Sequence, residues 1–264
     1  MLFASLSTIG FSPAPFRCFA RASLSAVAVL SACGGTERAT TIRQPVSRMN
    51  VVAGRDLSES ETAALGLVAL VVDATRPDRT GLCSGTLIAP RLVLTAGHCL
   101  SNPRGVLRVA VFGSDAFASG AKHVAISQTK RPSSADIAFI TLAADAPSSW
   151  KIQVPLLAFP VSGPVMNTAA FGAGFGRAAT GNPASGGYAR RGVARVQSLE
   201  KGLPIVSAVS GQGRGFCAGD SGGPLFLARP EGLRVIGVLS QGATTCESGL
   251  DTFTSVPFHA ALFP

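Results

Sequence analysis

Charged side chains are scarce in this chain, at 14% of its 264 residues, and aromatic ones scarcer still, at 6% with one Trp and one Tyr. With 47% hydrophobic residues against so little charge, an intrinsically disordered chain is excluded. The six Cys are too few for a scaffold held up by disulfides, and none of them falls in a zinc-type Cys/His spacing. Nothing in the sequence implies a metal or an organic cofactor. Only one apolar run, at 22–30, is long enough to concern a membrane, and it is too short to span one stably. No long amphipathic helical period occurs before the last dozen residues, which argues against a helical bundle. The formal charge is +9, but five Arg lie in the first 50 residues, and the basic residues beyond are scattered rather than striped. A nucleic-acid surface is therefore not expected.

The first 33 residues read as an export signal. Arg17 and Arg21 precede the apolar run, which ends in Leu30-Ser31-Ala32-Cys33-Gly34. That ending resembles the bacterial lipobox, in which the signal is removed and the new amino-terminal Cys, here Cys33, carries lipid. The competing expectation is an ordinary signal cleaved at a small-residue site. Residues 34–50 are polar and unpatterned and read as a tether or propeptide. Once Cys18 leaves with the signal and Cys33 is lipidated, Cys83, Cys99, Cys217 and Cys246 remain. An even set in an exported protein reads as two disulfides, with three connectivities open.

Residues 51–264 are long enough for one all-β domain. Short apolar runs of strand length recur at 66–72, 86–88, 92–95, 106–112, 137–142, 193–199, 225–228 and 235–239, punctuated by Gly and Pro. Such spacing predicts a barrel or sandwich. The Pro-rich stretch at 143–164 lies midway and reads as a crossing between two halves, with Trp150 packed between them. Residues 177–192 read as a mobile surface loop.

Three segments carry chemistry. They are Cys83-Ser84-Gly85-Thr86-Leu87-Ile88 followed by Val93-Leu94-Thr95-Ala96-Gly97-His98-Cys99; Asp136-Ile137-Ala138-Phe139-Ile140-Thr141-Leu142; and Cys217-Ala218-Gly219-Asp220-Ser221-Gly222-Gly223-Pro224-Leu225. Together, in the order His, Asp, Ser, they resemble the trypsin/chymotrypsin-like serine protease family across residues 51–264. The resemblance implies two antiparallel six-stranded β-barrels with a short C-terminal helix from Phe258, a monomer, and protein or peptide substrates. It makes Ser221 the nucleophile, His98 the base and Asp136 the acid that orients the base. The chemistry has independent grounds. A serine hydroxyl needs a base during attack, imidazole titrates near neutrality, and a carboxylate fixes its tautomer. Activity should accordingly rise with pH, roughly between pH 6 and 8. The resemblance also assigns the oxyanion donors to the amides of Gly219 and Ser221, and favours the pairs Cys83–Cys99 and Cys217–Cys246.

In this family the acid before the serine, here Asp220, pairs with an amino terminus freed by cleavage. The matching start is Val51-Val52-Ala53-Gly54, yet Asn50 rather than a basic residue precedes it. Either an Asn-tolerant protease cuts there or Asp220 has another partner. The resemblance puts Gly215 at the pocket floor, where Phe216 would narrow the opening. It gives Ser240-Gln241-Gly242 to the strand that pairs with substrate backbone, and sets Asp251 on the opposite wall. An acid there would accept Lys or Arg; the alternative is that Asp251 sits in a turn and faces solvent. Gly174-Phe175-Gly176 resembles the segment opening the second barrel, and no strand–turn–helix unit supports reading it as a nucleotide loop.

Two other functions fit part of the pattern. Gly219-Asp220-Ser221-Gly222-Gly223 also matches the G-x-S-x-G of α/β-hydrolase esterases, though only 43 residues follow Ser221. A catalytically inactive binding module on the protease fold is the other.

Overall fold

The computed structural model describes residues 54–75, 81–101, 105–158, 168–198, 205–209, 215–242, 245–246 and 250–264. The signal and tether segments, and with them Cys33 and Val51, lie outside the described residues.

The described chain is mostly strand. A two-residue strand, β1 (Arg55–Asp56), leads into a helix, α1 (Glu59–Ala64). Then come β2 (Leu67–Val71), β3 (Leu82–Ala89), β4 (Leu92–Thr95), β5 (Val109–Phe112), β6 (Lys122–Lys130) and β7 (Ala138–Leu142). The later strands are β8 (Val154–Pro155), β9 (Ala169–Gly174), β10 (Arg190–Ser198), β11 (Ile205–Val209), β12 (Pro224–Arg229), β13 (Gly232–Gln241) and β14 (Leu250–Ser255).

Strands β2 to β7 close into a barrel in the order β2-β3-β4-β7-β6-β5. Its wall follows from β-branched runs: Leu67-Val68-Ala69-Leu70-Val71 is buried along its whole length, because both faces are covered. The second half forms another antiparallel ring, β9-β10-β11-β14-β13-β12, in which β12 returns to pair with β9. To this ring β1 adds at β10, and β8 adds in parallel at β13. Closure removes the sheet edges that would otherwise template aggregation.

Two apolar clusters fill the fold, and the larger reaches from the first barrel into the second half at Phe175, Phe226 and Val238. Leu67, Leu70, Leu87, Leu94, Ile137 and Ile140 belong to the larger cluster, and Phe216, Leu225, Ile236 and Phe253 to the smaller. Trp150 sits at the first barrel rather than between the halves. Its indole nitrogen donates to the Leu67 carbonyl at 2.9 Å and its ring meets Phe112 edge-on.

The structure differs from the sequence expectation at three places. The C-terminal helical segment is a three-residue 3-10 turn, Ala260–Leu262. The single α-helix among the described residues lies at the other end, at Glu59–Ala64. It is too short to show a period, and Ser58 and Glu61 start it with a reciprocal capping box. The stretch read as a mobile loop holds a 3-10 turn, Pro183–Ser185, and leads into β10. It is pinned where Arg190 donates to the Ser185 carbonyl at 2.9 Å and Ala178 N–H donates to Ser185 Oγ at 3.0 Å.

Candidate active site

His98 follows β4 in a 3-10 turn, and Asp136 stands just before β7. Since β4 and β7 are paired, with Thr95 opposite Ala138, the two side chains emerge at the same rim of the first barrel. Asp136 Oδ1 accepts the His98 backbone N–H at 2.7 Å, and Oδ2 lies 2.8 Å from His98 Nδ1. Ser240, at the end of β13 in the second barrel, donates its hydroxyl to the same Oδ2 at 2.7 Å. Burial alone would push the Asp136 carboxyl up. The hydrogen bonds from His98 and Ser240 and the charge of the imidazole outweigh burial and hold it down at about 2.

Ser221 lies in the loop before β12, and its carbonyl accepts the Ser84 N–H at 2.8 Å. The Cys99 sulfur is 3.6 Å from that same carbonyl oxygen, which sets Ser221 beside the neighbour of His98. Cys99 is bonded to Cys83, and Cys217 to Cys246, as the resemblance favoured. In the Ser221 loop the amides of Asp220, Gly222 and Gly223 all donate within the protein. Those of Gly219 and Ser221 have no acceptor among the described residues, so they are available to an outside oxygen. Gly219 has φ of +103°, a left-handed backbone that a side chain at this turn would strain.

Asp220 is fully buried. Its two oxygens accept the amides of Gly176, at 2.7 Å, and Cys217, at 2.9 Å. Burial pushes its carboxyl up to about 6, against the pull of those amides and of the Arg190 charge; the Asp251 charge adds to the rise.

Gly215 is buried, and so is the Phe216 ring that was expected to narrow the opening. The ring turns into the second core, where it meets Phe253 edge-on and packs over Gly172. Asp251 lies on β14, completely buried, and its Oδ1 accepts the Phe216 N–H at 3.3 Å. The expectation of a solvent-facing turn is overturned. A Cβ on Gly242 would come within 3.5 Å of that carboxylate, so Asp251 lies between the 216 and 242 segments. Gln241 is exposed and accepts the Thr252 hydroxyl at its carbonyl. Beside Asp136, an open groove of about 570 Å³ runs along Arg131, Pro132, Ser133, Ser134 and Ala135.

Two residues that sequence reasoning left unassigned organise this rim. Ser84 Oγ donates to the Gly219 carbonyl at 2.8 Å and accepts the Phe175 N–H at 2.9 Å, while the Ser84 carbonyl accepts the Thr95 hydroxyl. One serine of β3 thus ties the first barrel to the Ser221 loop. Its only signal was its place beside Cys83. The second residue is Arg190, whose burial the exposed-looking Arg190-Arg191 pair conceals. Ser240 did stand among the site residues, but its hydroxyl points to Asp136.

The antiparallel all-β topology excludes the α/β-hydrolase alternative, which needs a parallel sheet flanked by helices. Comparison with known proteins agrees. The family model Trypsin matches residues 61–261. The cercarial protease of Schistosoma mansoni is 33% identical over 192 residues, covering 62% of this chain and 71% of that protein. Among solved structures, human heparin binding protein superposes with a TM-score of 0.63 at 23% identity, covering 79% of this chain and 93% of that one. Neuropsin, a serine protease expressed in the limbic system of mouse brain, gives 0.62 at 19% identity, covering 79% and 96%. At those identities the structures speak for the fold alone, whereas the family model spans most of the chain. The chain belongs to the trypsin family and is a trypsin-like serine endopeptidase.

Proposed function

We propose that the protein hydrolyses peptide bonds through an acyl-enzyme formed on Ser221. The observation that carries this reading is the double hold of Asp136 on His98. One oxygen fixes the main chain and the other faces Nδ1, leaving Nε2 as the base. In the reaction Ser221 Oγ attacks the carbonyl carbon as His98 Nε2 takes its proton. The oxyanion is received by the amides of Gly219 and Ser221, which have no other acceptor among the described residues. Collapse expels the amine, which takes the proton from His98, and water then repeats the sequence on the acyl-enzyme. Removing one oxyanion donor of this type costs about 100- to 1000-fold in rate.

The same reading extends to the substrate side chain. The Asp251 carboxylate, buried behind the Phe216 N–H and close to Gly242, places negative charge beneath the 216 and 242 segments, which favours Lys or Arg before the scissile bond. We further propose that the chain is exported, in keeping with its two disulfides, and that Cys33 carries the lipid anchor.

The test is labelling of the full chain with a fluorophosphonate, beside Ser221→Ala, followed by hydrolysis of peptide amides ending in Arg, Lys, Phe or Leu. An adduct on Ser221 and faster cleavage of the basic amides, with that preference abolished in Asp251→Asn, are expected. Absence of any adduct would return the inactive binding module; an apolar preference would discard the role of Asp251 alone.

A further inference from the structure

Among the described residues Arg190 is the one buried Arg or Lys. Withdrawing a guanidinium from water is costly, and it persists where its donors are satisfied and its charge is answered. Three of its five donors are engaged: Nε donates to Asp56 Oδ1 at 2.8 Å, and Nη1 donates to the carbonyls of Gly176, at 3.1 Å, and Ser185, at 2.9 Å. Its guanidinium also sits 5.3 Å from the centre of the Tyr188 ring. Asp56 lies at the surface with its side chain half exposed, so it answers the charge only from the outer side.

On its inner side Arg190 is linked to Asp220 through Gly176. Gly176, whose carbonyl accepts from Arg190, donates its own N–H to Asp220 Oδ1 at 2.7 Å. The approach is so close that a Cβ on Gly176 would fall 2.3 Å from the Asp220 carboxylate, which only glycine permits. One glycine thus separates a buried cation from a buried anion. The charged groups acting on Asp220 are Arg190, which favours its ionised form, and Asp251, which opposes it. No step of the chemistry above uses Arg190.

Resting on the acyl-enzyme reading, we propose that Arg190 is the built-in counter-ion of Asp220. It is a positioning residue that sets the 217–221 loop and its oxyanion amides in the uncut chain, without a new amino terminus at Val51. Three features of the sequence and structure fit together on this view. Asn50 offers a basic-directed protease no cleavage point, so an internal cation removes the need for one. Strand β1 registers Asp56 directly opposite Arg190 on β10, so the chain after the tether steadies the guanidinium. Finally, Gly176 opens the loop leading to Ser185, so the same side chain braces both walls of that loop.

The experiment uses the full chain with an enteropeptidase site placed directly before Val51, so that the uncut and cut forms come from one preparation. Each is labelled with a fluorophosphonate, and the adduct is weighed intact. The uncut form should label at a rate within about twofold of the cut form, the scatter of uncoupled effects. Arg190→Met should slow labelling of the uncut form by about 100-fold or more, as for a lost oxyanion donor, with Arg190→Lys recovering part of the rate. The loss should fall in kcat rather than KM. It should also be non-additive with Asp220→Asn, since either change removes the same charge pair. Labelling of the cut form alone would overturn the proposal while leaving the protease reading intact. Additive losses in a folded Arg190→Met/Asp220→Asn chain would overturn it as well. No labelling of either form would fell both readings together.

Discussion

Replacing Asp136 by Asn is the sharpest perturbation of the proposed mechanism, because the amide must choose between two unfavourable orientations. In the native site Oδ1 faces the His98 backbone N–H at 2.7 Å, whereas Oδ2 faces both His98 Nδ1 and the Ser240 hydroxyl. An Asn offers one oxygen and one NH2 group. If the NH2 takes the Oδ1 position it opposes a main-chain N–H that cannot reverse, which leaves a buried donor unmet at a cost of about 1–3 kcal/mol. If it takes the Oδ2 position the Ser240 hydroxyl can rotate and accept, and the imidazole can shift its proton to Nε2. The second orientation is therefore the cheaper, and it puts a proton where the base needs a lone pair. In triads of this geometry that tautomer costs about 10⁴ in kcat, or about 5.5 kcal/mol of barrier. The assay is kcat/KM for Asp136→Asn on a peptide amide at pH 7 to 8, with nitrogen NMR of the His98 ring to read the tautomer. A loss under about tenfold in the folded variant would refute the reasoning, since the base would then work without its carboxylate. So would a ring that still carries its proton on Nδ1.

Two further predictions concern stability. Thr86 Oγ1 is buried without a hydrogen-bond partner among the described residues. Thr86→Val should therefore stabilise the protein by about 1 kcal/mol, raising Tm by roughly 2–4 °C on a calorimetric scan; a lower Tm would mean that the hydroxyl is satisfied in solution. Asp220 and Asp136 should shape the acid side of the stability curve in opposite senses. The folded Asp220 carboxyl, near 6, lies above its ordinary 3.8. Its contribution is thus fully present below about pH 4 and is lost as pH rises through 6, by roughly 3 kcal/mol at most. Asp136, held at about 2, contributes above about pH 4 and loses that contribution as pH falls towards 2. Urea titrations between pH 4 and 6 should show the falling limb vanish in Asp220→Asn, and its persistence there would assign it to another group.

The parts of this molecule that were legible in advance are those written in neighbouring residues. The eight apolar runs all became strand or part of one, because β-branched residues with both faces covered leave a continuous signature. Strand β6 was not legible, since most of its nine residues are exposed and polar; its hydrogen bonds to β5 and β7, with Val124 and Ile126 packed on the core, hold it in the barrel. The three-residue turn at the C-terminus and the six-residue helix before β2 are too short for any period to appear. For the site, two of the three motifs hold the His98 and Asp136 side chains that the structure brings together, but the sequence could not say where side chains of distant segments turn. Phe216 beside a pocket residue looked like an obstruction, and its ring instead fills the core against Phe253. Ser240 reached the site from 104 residues away along the chain, a contact that no local pattern encodes.

The buried polar residues divide unevenly between the barrels, and the division follows the chemistry. In the first half they are Thr62, Ser84, Thr86, Thr95 and Gln153, none of which carries charge. Among the described residues those with charge, Arg190, Asp220 and Asp251, all lie in the second half. Burying an ion costs several kcal/mol even after relaxation, so a fold retains one where something must be held in a single arrangement. The first barrel presents His98 and Asp136 at its rim on paired strands beside a disulfide, with the Asp136 carboxylate only partly buried. The second shapes a turn with φ of +103° in which two amides have no acceptor among the described residues. Such a turn has few apolar contacts to fix it, and strongly directional bonds to a buried carboxylate can do so. On this argument the charges of the second barrel are the cost of shaping the Ser221 loop, and they should be the least replaceable residues outside the proposed triad.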